Sequence, residues 1–537
     1  MSLLKTQVLI IGAGITGAGI ARDLALRGVQ CILVEKADIN SGASGANHGL
    51  LHSGARYVRN DPLAAAECRE ECELLKKLAA QCIEDTGGLF VAVEDDDENH
   101  IADFPDLCSR SGIPVEPLDI KEAREIEPVL SKKLMAAYAV KDASIDPFRL
   151  TLENIAHALE LGGRLLLHTS VVGFKKKNSR IQATILQNRK TGKEIFIEAD
   201  QVINACGAWA GEIAALSGCR IDLLYSKGSL LITHNRIAHR VINRLRPSSD
   251  ADILVPGGTV SILGTTSVKI DALENVRPTI KEIDYIIEAA SAMVPTLRTT
   301  RYIRAYAGVR PLVSTPSLKN GRALSRGFSL IDHTEDKLDN FVSIVGGKLT
   351  TYRLMAEKTS DLICSRLGVT HSCMTRTQPL PARSVNKWTQ PGLAAKVWVQ
   401  RRNSADELLC ECEMVSKSTV DAVIDSIHNQ KATPDLRAVG RRSRVGKGTC
   451  QGAFCSIRIL AHMLERGELD SARGLKDLKR FLSSRWKGMR PILWDAALVQ
   501  EQLQEAMHCG LFGLELSVNK KFSVPGSEGQ GSDKLKR

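Results

Sequence analysis

The chain has 537 residues, 43% of them hydrophobic and 25% charged, a length that exceeds one hydrophobic core and predicts two or three domains. Its formal charge of +11 is the small difference between 72 basic and 61 acidic side chains, and only 4% of residues are aromatic. With no basic stripe carrying stacking residues, that balance excludes nucleic acid as partner and leaves an anionic small molecule or an anionic surface as its counterpart.

The first apolar segment, Val8 to Ile11, runs into glycines and not into a cleavage site, and no apolar run is long enough to span a bilayer. A cytoplasmic location is therefore expected, where the 14 cysteines should be buried thiols, a tight cluster excepted. Residues 1–370 alternate β-branched runs, glycine turns and amphipathic stretches, which predicts an α/β fold with strands such as Gln7 to Ile11, Gln30 to Glu35, Gln201 to Asn204 and Ser261 to Gly264. Residues 371–407, with Pro379, Pro381 and Pro391, read as a linker. Clustered cysteines occupy 408–458, a mainly helical region follows over 459–516, and 517–537 read as a disordered tail.

The segment TQVLIIGAGITGAGIARDLALRGVQCILVEK sets Gly12, Gly14 and Gly17 between an apolar strand and an amphipathic helix, with Glu35 closing the next strand. Gly12 permits the tight turn, Gly14 lets the backbone approach a pyrophosphate, and Gly17 lets helix and strand pack closely. The helix start supplies unpaired N–H groups, and Glu35 can accept from a ribose hydroxyl. The fingerprint stands near the N-terminus of a long chain and has no second copy for a nicotinamide, which favours FAD over NAD.

Downstream lies SGASGANHGLLHSGARY, whose small residues, Ser44 and Gly45 among them, let amides approach a cofactor. Further on come AYAGVRPL (305–312) and IVGGKLTTYRLMAE (344–357), the latter a strand, a glycine turn and a helix start that can aim its amides at an electron-rich ring. GAGITG with Glu35, HGLLHSGARY, AGVRPL and GGKLTTYR together resemble the FAD-dependent, quinone-linked glycerol-3-phosphate dehydrogenases, most closely the anaerobic catalytic branch of that family. The likeness covers roughly residues 5–516 and takes in KGSLLI and PSSDADILVPGG.

The resemblance implies a glutathione-reductase-like FAD domain interrupted by an antiparallel substrate-capping domain, at roughly 90–147 and 220–300, and oxidation of glycerol 3-phosphate to dihydroxyacetone phosphate. It places His52, Arg56, Arg310 and Lys348 around flavin and substrate, with Tyr57 and Thr350 beside them, and adds His48, Gly207, Gly347 and Leu349 to the cofactor contacts. The chemistry agrees with the residue types. An alcohol becomes a ketone when carbon gives up hydride and the hydroxyl gives up a proton, which calls for a base such as His52 and cations for the phosphate. Arg56 and Arg310 can grip phosphate oxygens, and Lys348 can stabilise charge developing on oxygen or flavin. Plainer readings stand beside these: His52 and His48 as hydrogen-bonding contacts, the arginines as structural ion pairs, Tyr57 as packing.

LLCECEM and GKGTCQGAFC supply Cys410, Cys412, Cys450 and Cys455, a C-x-C pair and a C-x4-C pair. Four thiolates suit tetrahedral zinc or a [2Fe-2S] cluster, between which spacing does not choose. Arg441, Arg442, Arg444 and Lys447 precede the second pair and can offset thiolate charge. The segment resembles the bacterioferritin-associated-ferredoxin type of [2Fe-2S] domain, although C-x4-C departs from the usual C-x2-C of that family. A small helical iron–sulfur domain is thus expected, able to pass electrons on singly.

From 473 the stretch RGLKDLKRFLSSRWKGMRPILWDAAL interleaves Lys and Arg with Leu475, Leu478, Phe481, Leu482 and Trp486 at helical spacing. It reads equally as a docking surface, for a partner protein or an anionic membrane, and as a core helix with a solvated basic face. The resemblance implies two partner subunits, B containing flavin and C containing iron–sulfur centres, which attach the complex to the cytoplasmic side of the inner membrane and feed the quinone pool. The alternatives are an FAD and iron–sulfur dehydrogenase of amino acids or amines, and a non-enzymatic redox sensor.

Overall fold

The computed structural model describes residues 2–313, 327–381, 398–430 and 432–514. The expected tail from 517 lies outside the described residues, as does the 382–397 part of the expected linker.

The glycine turn seeds the first sheet. The strand Ser2–Ile11 runs into the helix Ile15–Leu26 and returns as the parallel strand Cys31–Val34, a βαβ unit whose strand is buried from Val8 to Ile11. Glycine is required at two positions. Gly12 has φ +106°, and a Cβ there would stand 2.6 Å from the Ala205 carbonyl oxygen. A Cβ at Gly17 would stand 1.9 Å from the Gly12 carbonyl oxygen, so helix and strand meet only because both are bare. Gly17→Val should accordingly leave a chain that purifies without flavin, read as the ratio of flavin to protein absorbance; a full complement of FAD would contradict the close-packing argument.

The sheet is eight-stranded, in the order 169–177, 180–188, 194–204, 2–11, 31–34 and 164–166; strand 341–346 joins it parallel to 194–204, and strand 328–332 pairs antiparallel with 341–346. The nine-stranded second sheet draws on residues 88–140 and 223–313. It is antiparallel except where Val241–Arg244 runs parallel to Gly88–Val93, and it gains the long strand Tyr302–Val313, beyond the expected limit at 300. Separate cores lie beneath the two sheets, around Ile10, Leu24 and Ile203 and around Leu89, Leu231 and Leu263.

A third core, with Val420, Ile424, Val439, Ile459, Leu478 and Phe481, forms the cysteine region together with the helix Ser471–Met489. That basic helix therefore has a true core face, and Arg473, Lys476, Arg480 and Lys487 are on its exposed side. Residues 371–381 do not behave as a loose linker: Leu380 is buried and its N–H donates to Leu78, while Arg22 donates to the Gln378 carbonyl. Among the described residues no helix is long and apolar enough to cross a membrane.

Candidate active site and cysteine centre

One cavity of about 1460 Å³ runs from the glycine turn to the second sheet, larger than the ~300–1,000 Å³ typical of a single small ligand. At its first end lie Gly12, Gly14, Glu35 and Ser44. The helix Ile15–Leu26 has no side-chain cap of its own; Ser44 Oγ accepts from the Ile15 N–H at 3.0 Å and leaves the rest of the helix start to a ligand. Glu35 accepts from the N–H groups of Ala13 and Ala37 at 3.0 and 2.9 Å, and burial raises its pKa. Its carboxylate thus braces the turn that it was expected to serve. Gly17 and Gly45 sit behind the wall, and a Cβ on Gly45 would collide with the Asn40 carbonyl oxygen at 2.2 Å.

The middle of the cavity is walled by Gly207, Gly347, Lys348 and Leu349. Gly346 and Gly347 both take positive φ, which swings the chain from the strand Phe341–Gly346 into the helix Tyr352–Leu367. Thr350 is fully buried, and its hydroxyl accepts from the His52 N–H at 3.1 Å. Gly308 was not singled out, yet a Cβ there would stand 2.3 Å from the Ala46 carbonyl oxygen; AGVRPL carried the signal in its small residues. Also unforeseen is Trp209, over whose ring Lys36 Nζ lies at 3.8 Å.

At the far end His48, His52, Arg56, Tyr57 and Arg310 converge. The Tyr57 hydroxyl is 3.3 Å from His52 Nε2, and Lys348 Nζ lies 4.8 Å above the Tyr57 ring. Burial, then the neighbouring His48, Arg56 and Lys348, hold His52 well below the usual histidine pKa, and burial with Arg310 and Arg56 takes His48 down to about 3. Both are neutral at physiological pH, so His52 can receive a proton.

Arg310 donates to the Thr266 carbonyl at 3.1 Å and to the Thr265 hydroxyl, which fixes its guanidinium at the wall. Arg56 differs: it donates to Asp252 and to the Ser249 carbonyl, both at 3.1 Å. The ion pair with Asp252, which Arg246 shares, makes Arg56 in part a structural cation.

The two buried histidines give stability a sign with pH. Their folded pKa values lie below the unfolded value near 6.5, so the unfolded chain binds more protons as pH falls. Stability is complete above pH ~6.5 and is lost below it, for His48 down to about pH 3. Thermal midpoints should fall less steeply on acidification in His48→Gln than in the native chain; parallel curves would contradict this.

The cysteine pairs come together across a hairpin and a helix start. Cys410 ends the strand Leu408–Cys410, and Cys455 opens the helix Cys455–Glu465. Cys410 and Cys412 Sγ are 3.8 Å apart, and Cys412 and Cys450 Sγ 3.6 Å. Hydrogen bonds from Cys412 and Cys455 push Cys450 down, while those with Cys410 and Cys450 push Cys412 up, so the thiols share protons and four thiolates need a cation. Gly448 has room for no side chain, since a Cβ would stand 2.8 Å from Cys412 Sγ. Cys412 is exposed and Cys410 and Cys455 are buried.

The expected cationic run divides. Arg441 and Arg442 bind Asp38 of the nucleotide loop, Arg442 through two bonds of 2.9 and 2.8 Å, and Arg444 pairs with the buried Glu413. Arg444, so paired, also acts on the Cys410 thiol, while Lys447 faces Asp146, Glu413, Arg444 and Arg485. Elsewhere Cys219, His333 and Asp336 bring three ligand atoms within 4.8 Å, but both His333 nitrogens are held, by Asp336 and Ser343.

A glycine turn that collapses under any Cβ, a helix start left open and a long two-ended cavity define a flavoprotein oxidoreductase. Residues 7–357 match the family described as FAD dependent oxidoreductase, and the chain belongs to it. More particularly it belongs with the A subunits of the anaerobic glycerol-3-phosphate dehydrogenases: it is 42% identical to the A subunit from Escherichia coli (strain K12) over 95% of this chain and 97% of the relative. It is also 38% identical to the A1 subunit from Haloferax volcanii, over 94% and 90%. The fold is that of the glycerol-3-phosphate dehydrogenase from Bacillus halodurans solved with FAD, at TM-score 0.64 and 22% identity over 91% of this chain and 96% of that one. An L-proline dehydrogenase from P. horikoshii shares it at TM-score 0.57 and 24% identity, over 68% and 95%.

Proposed function

We propose that the chain oxidises sn-glycerol 3-phosphate to dihydroxyacetone phosphate and passes the electrons through a [2Fe-2S] centre to partner subunits and on to quinone. The observation that carries this reading is the meeting of a neutral His52 and an anchored Arg310 at the end of the nucleotide cavity. Bound along Gly12, Gly14, Ser44 and Gly347, FAD would supply the hydride acceptor. Arg310 holds the phosphate through its guanidinium fork, and Lys348 adds a second positive charge. His52 receives the hydroxyl proton, and the Tyr57 hydroxyl, 3.3 Å from Nε2, orients the ring. Arg56, tied to Asp252, lowers the proton affinity of both histidines and keeps the base neutral.

An amine or amino-acid substrate asks for one carboxylate clamp, and Arg310 with Lys348 and Arg56 exceeds that need. A sensor would leave this convergence without use. Steady-state assay under anaerobic conditions with an artificial acceptor should give turnover on glycerol 3-phosphate and none on glycine or L-proline; the reverse preference would sink the proposal.

The four cysteines fit an iron–sulfur centre by donor type, and Cys455 at a helix start brings amides towards sulfur. Anaerobically reconstituted protein should carry about two iron and two sulfide per chain, lost in Cys450→Ser; stoichiometric zinc would contradict it.

For partners, B and C subunits at the inner membrane, the support is that the relatives are themselves named as subunits, together with the helix Asp495–Phe512. That helix buries Glu501 and His508 and leaves Val499, Leu503, Met507 and Leu511 more than half exposed on one face.

A further inference from the structure

Behind the cysteine pairs lies a group of cations with little to balance them. Arg485, on the helix Ser471–Met489, stacks over the Phe481 ring at 5.0 Å, and its Nε is buried without a hydrogen-bond partner. Lys447, three residues before Cys450, points its Nζ at the Phe148 ring, 4.2 Å from the centroid. Among the described residues neither makes an ion pair, and Arg304, which faces Arg485, makes none either.

The acids nearby are already committed. Glu413 is held by Arg444 and the Thr259 hydroxyl, and Asp146 accepts from the N–H groups of Phe148 and Arg149 at the start of its helix. Cys455 is the member of the cysteine centre that faces Arg485. A guanidinium whose Nε is buried without a partner is costly unless an anion stands beside it. Four thiolates carrying an iron–sulfur centre are such an anion.

We infer that Arg485 and Lys447 are the fixed counter-charge of the centre bound by Cys410, Cys412, Cys450 and Cys455, and that they raise its reduction potential. The inference rests on the iron–sulfur reading of that site. Each electron added makes the centre one unit more negative, so a fixed positive charge in a low-dielectric setting stabilises the reduced form more than the oxidised one. Burial weighs against the charged form of both Arg485 and Lys447, so each gains from a nearby anion. The two come from segments 38 residues apart, and both reach the cysteine loop through glycines. A Cβ at Gly446 would stand 3.3 Å from the Arg485 guanidinium carbon, and Gly448 leaves room for Cys412.

The test is a redox titration of the centre in the full-length holoprotein, followed by its own spectrum and not by turnover. Arg485→Gln and Lys447→Gln should each make reduction about tenfold less favourable, a fall of ~59 mV for one electron. Arg485→Lys should restore most of the native value, and Arg473→Gln, exposed on the same helix, should leave it in place. Native potentials in both glutamine variants at full iron content would overturn the inference. If the native protein itself takes up zinc or no iron, the reading beneath it fails instead, and that is seen before any variant is made.

Discussion

Arg310→Ala raises the Michaelis constant for glycerol 3-phosphate roughly 30-fold or more, while oxidation of glycerol, weak from the outset, changes less than about threefold. The Thr265 hydroxyl and the Thr266 carbonyl hold the guanidinium at the cavity wall, so its fork is oriented before substrate arrives. Removing it strips a charge-assisted contact from a desolvated phosphate, a loss of about 2–5 kcal/mol. Arg310→Lys keeps the charge and loses the fork, and should fall between the two. Steady-state kinetics on both substrates checks this; equal effects on phosphorylated and unphosphorylated alcohol would remove Arg310 from the phosphate site.

His52→Ala lowers kcat by about 10²–10⁴, the usual contribution of a positioned base, with FAD content unchanged. The pH profile separates this from a packing defect. A base is active when deprotonated, and His52 is held well below the ordinary histidine range by burial and by His48, Arg56 and Lys348. Native kcat should therefore stay level from pH ~8 to ~6, with the acid limb below the usual histidine value of about 6.5. Removing the cation in Arg56→Met should carry that limb towards neutrality. A native profile that breaks near pH ~6.5, or a His52→Ala variant within about threefold of native kcat, would assign the proton to another group.

The glycine turn was legible because each of its residues answers a local demand: a positive φ at Gly12, a helix start at Gly14, a helix against a strand at Gly17. The cysteine pairs were legible by type and spacing. What could not be read was who pairs with whom across long separations. Arg442 looked like a counter-charge for the thiols and instead reaches Asp38, 404 residues away, tying the cysteine region to the nucleotide loop. Arg56 looked like a free phosphate clamp until Asp252 arrived beside it from the second sheet. Arg485 gave no sign at all, since its helix reads as a plain amphipathic stretch, and only packing turns that side chain to Cys455. Local backbone needs are written in neighbouring residues; charge pairing is decided by the tertiary fold.

Substrate hydride is proposed to enter at the His52 and Arg310 end of the cavity, and its electrons to leave by the cysteine centre. Anaerobic rapid mixing of the holoprotein with glycerol 3-phosphate tests it most directly. The flavin absorbance should be lost first and the iron–sulfur absorbance should bleach after it, with the first step slowed in His52→Ala and the second alone abolished in Cys450→Ser. A flavin that stays oxidised with glycerol 3-phosphate at saturation, yet bleaches with an amino acid, would contradict it.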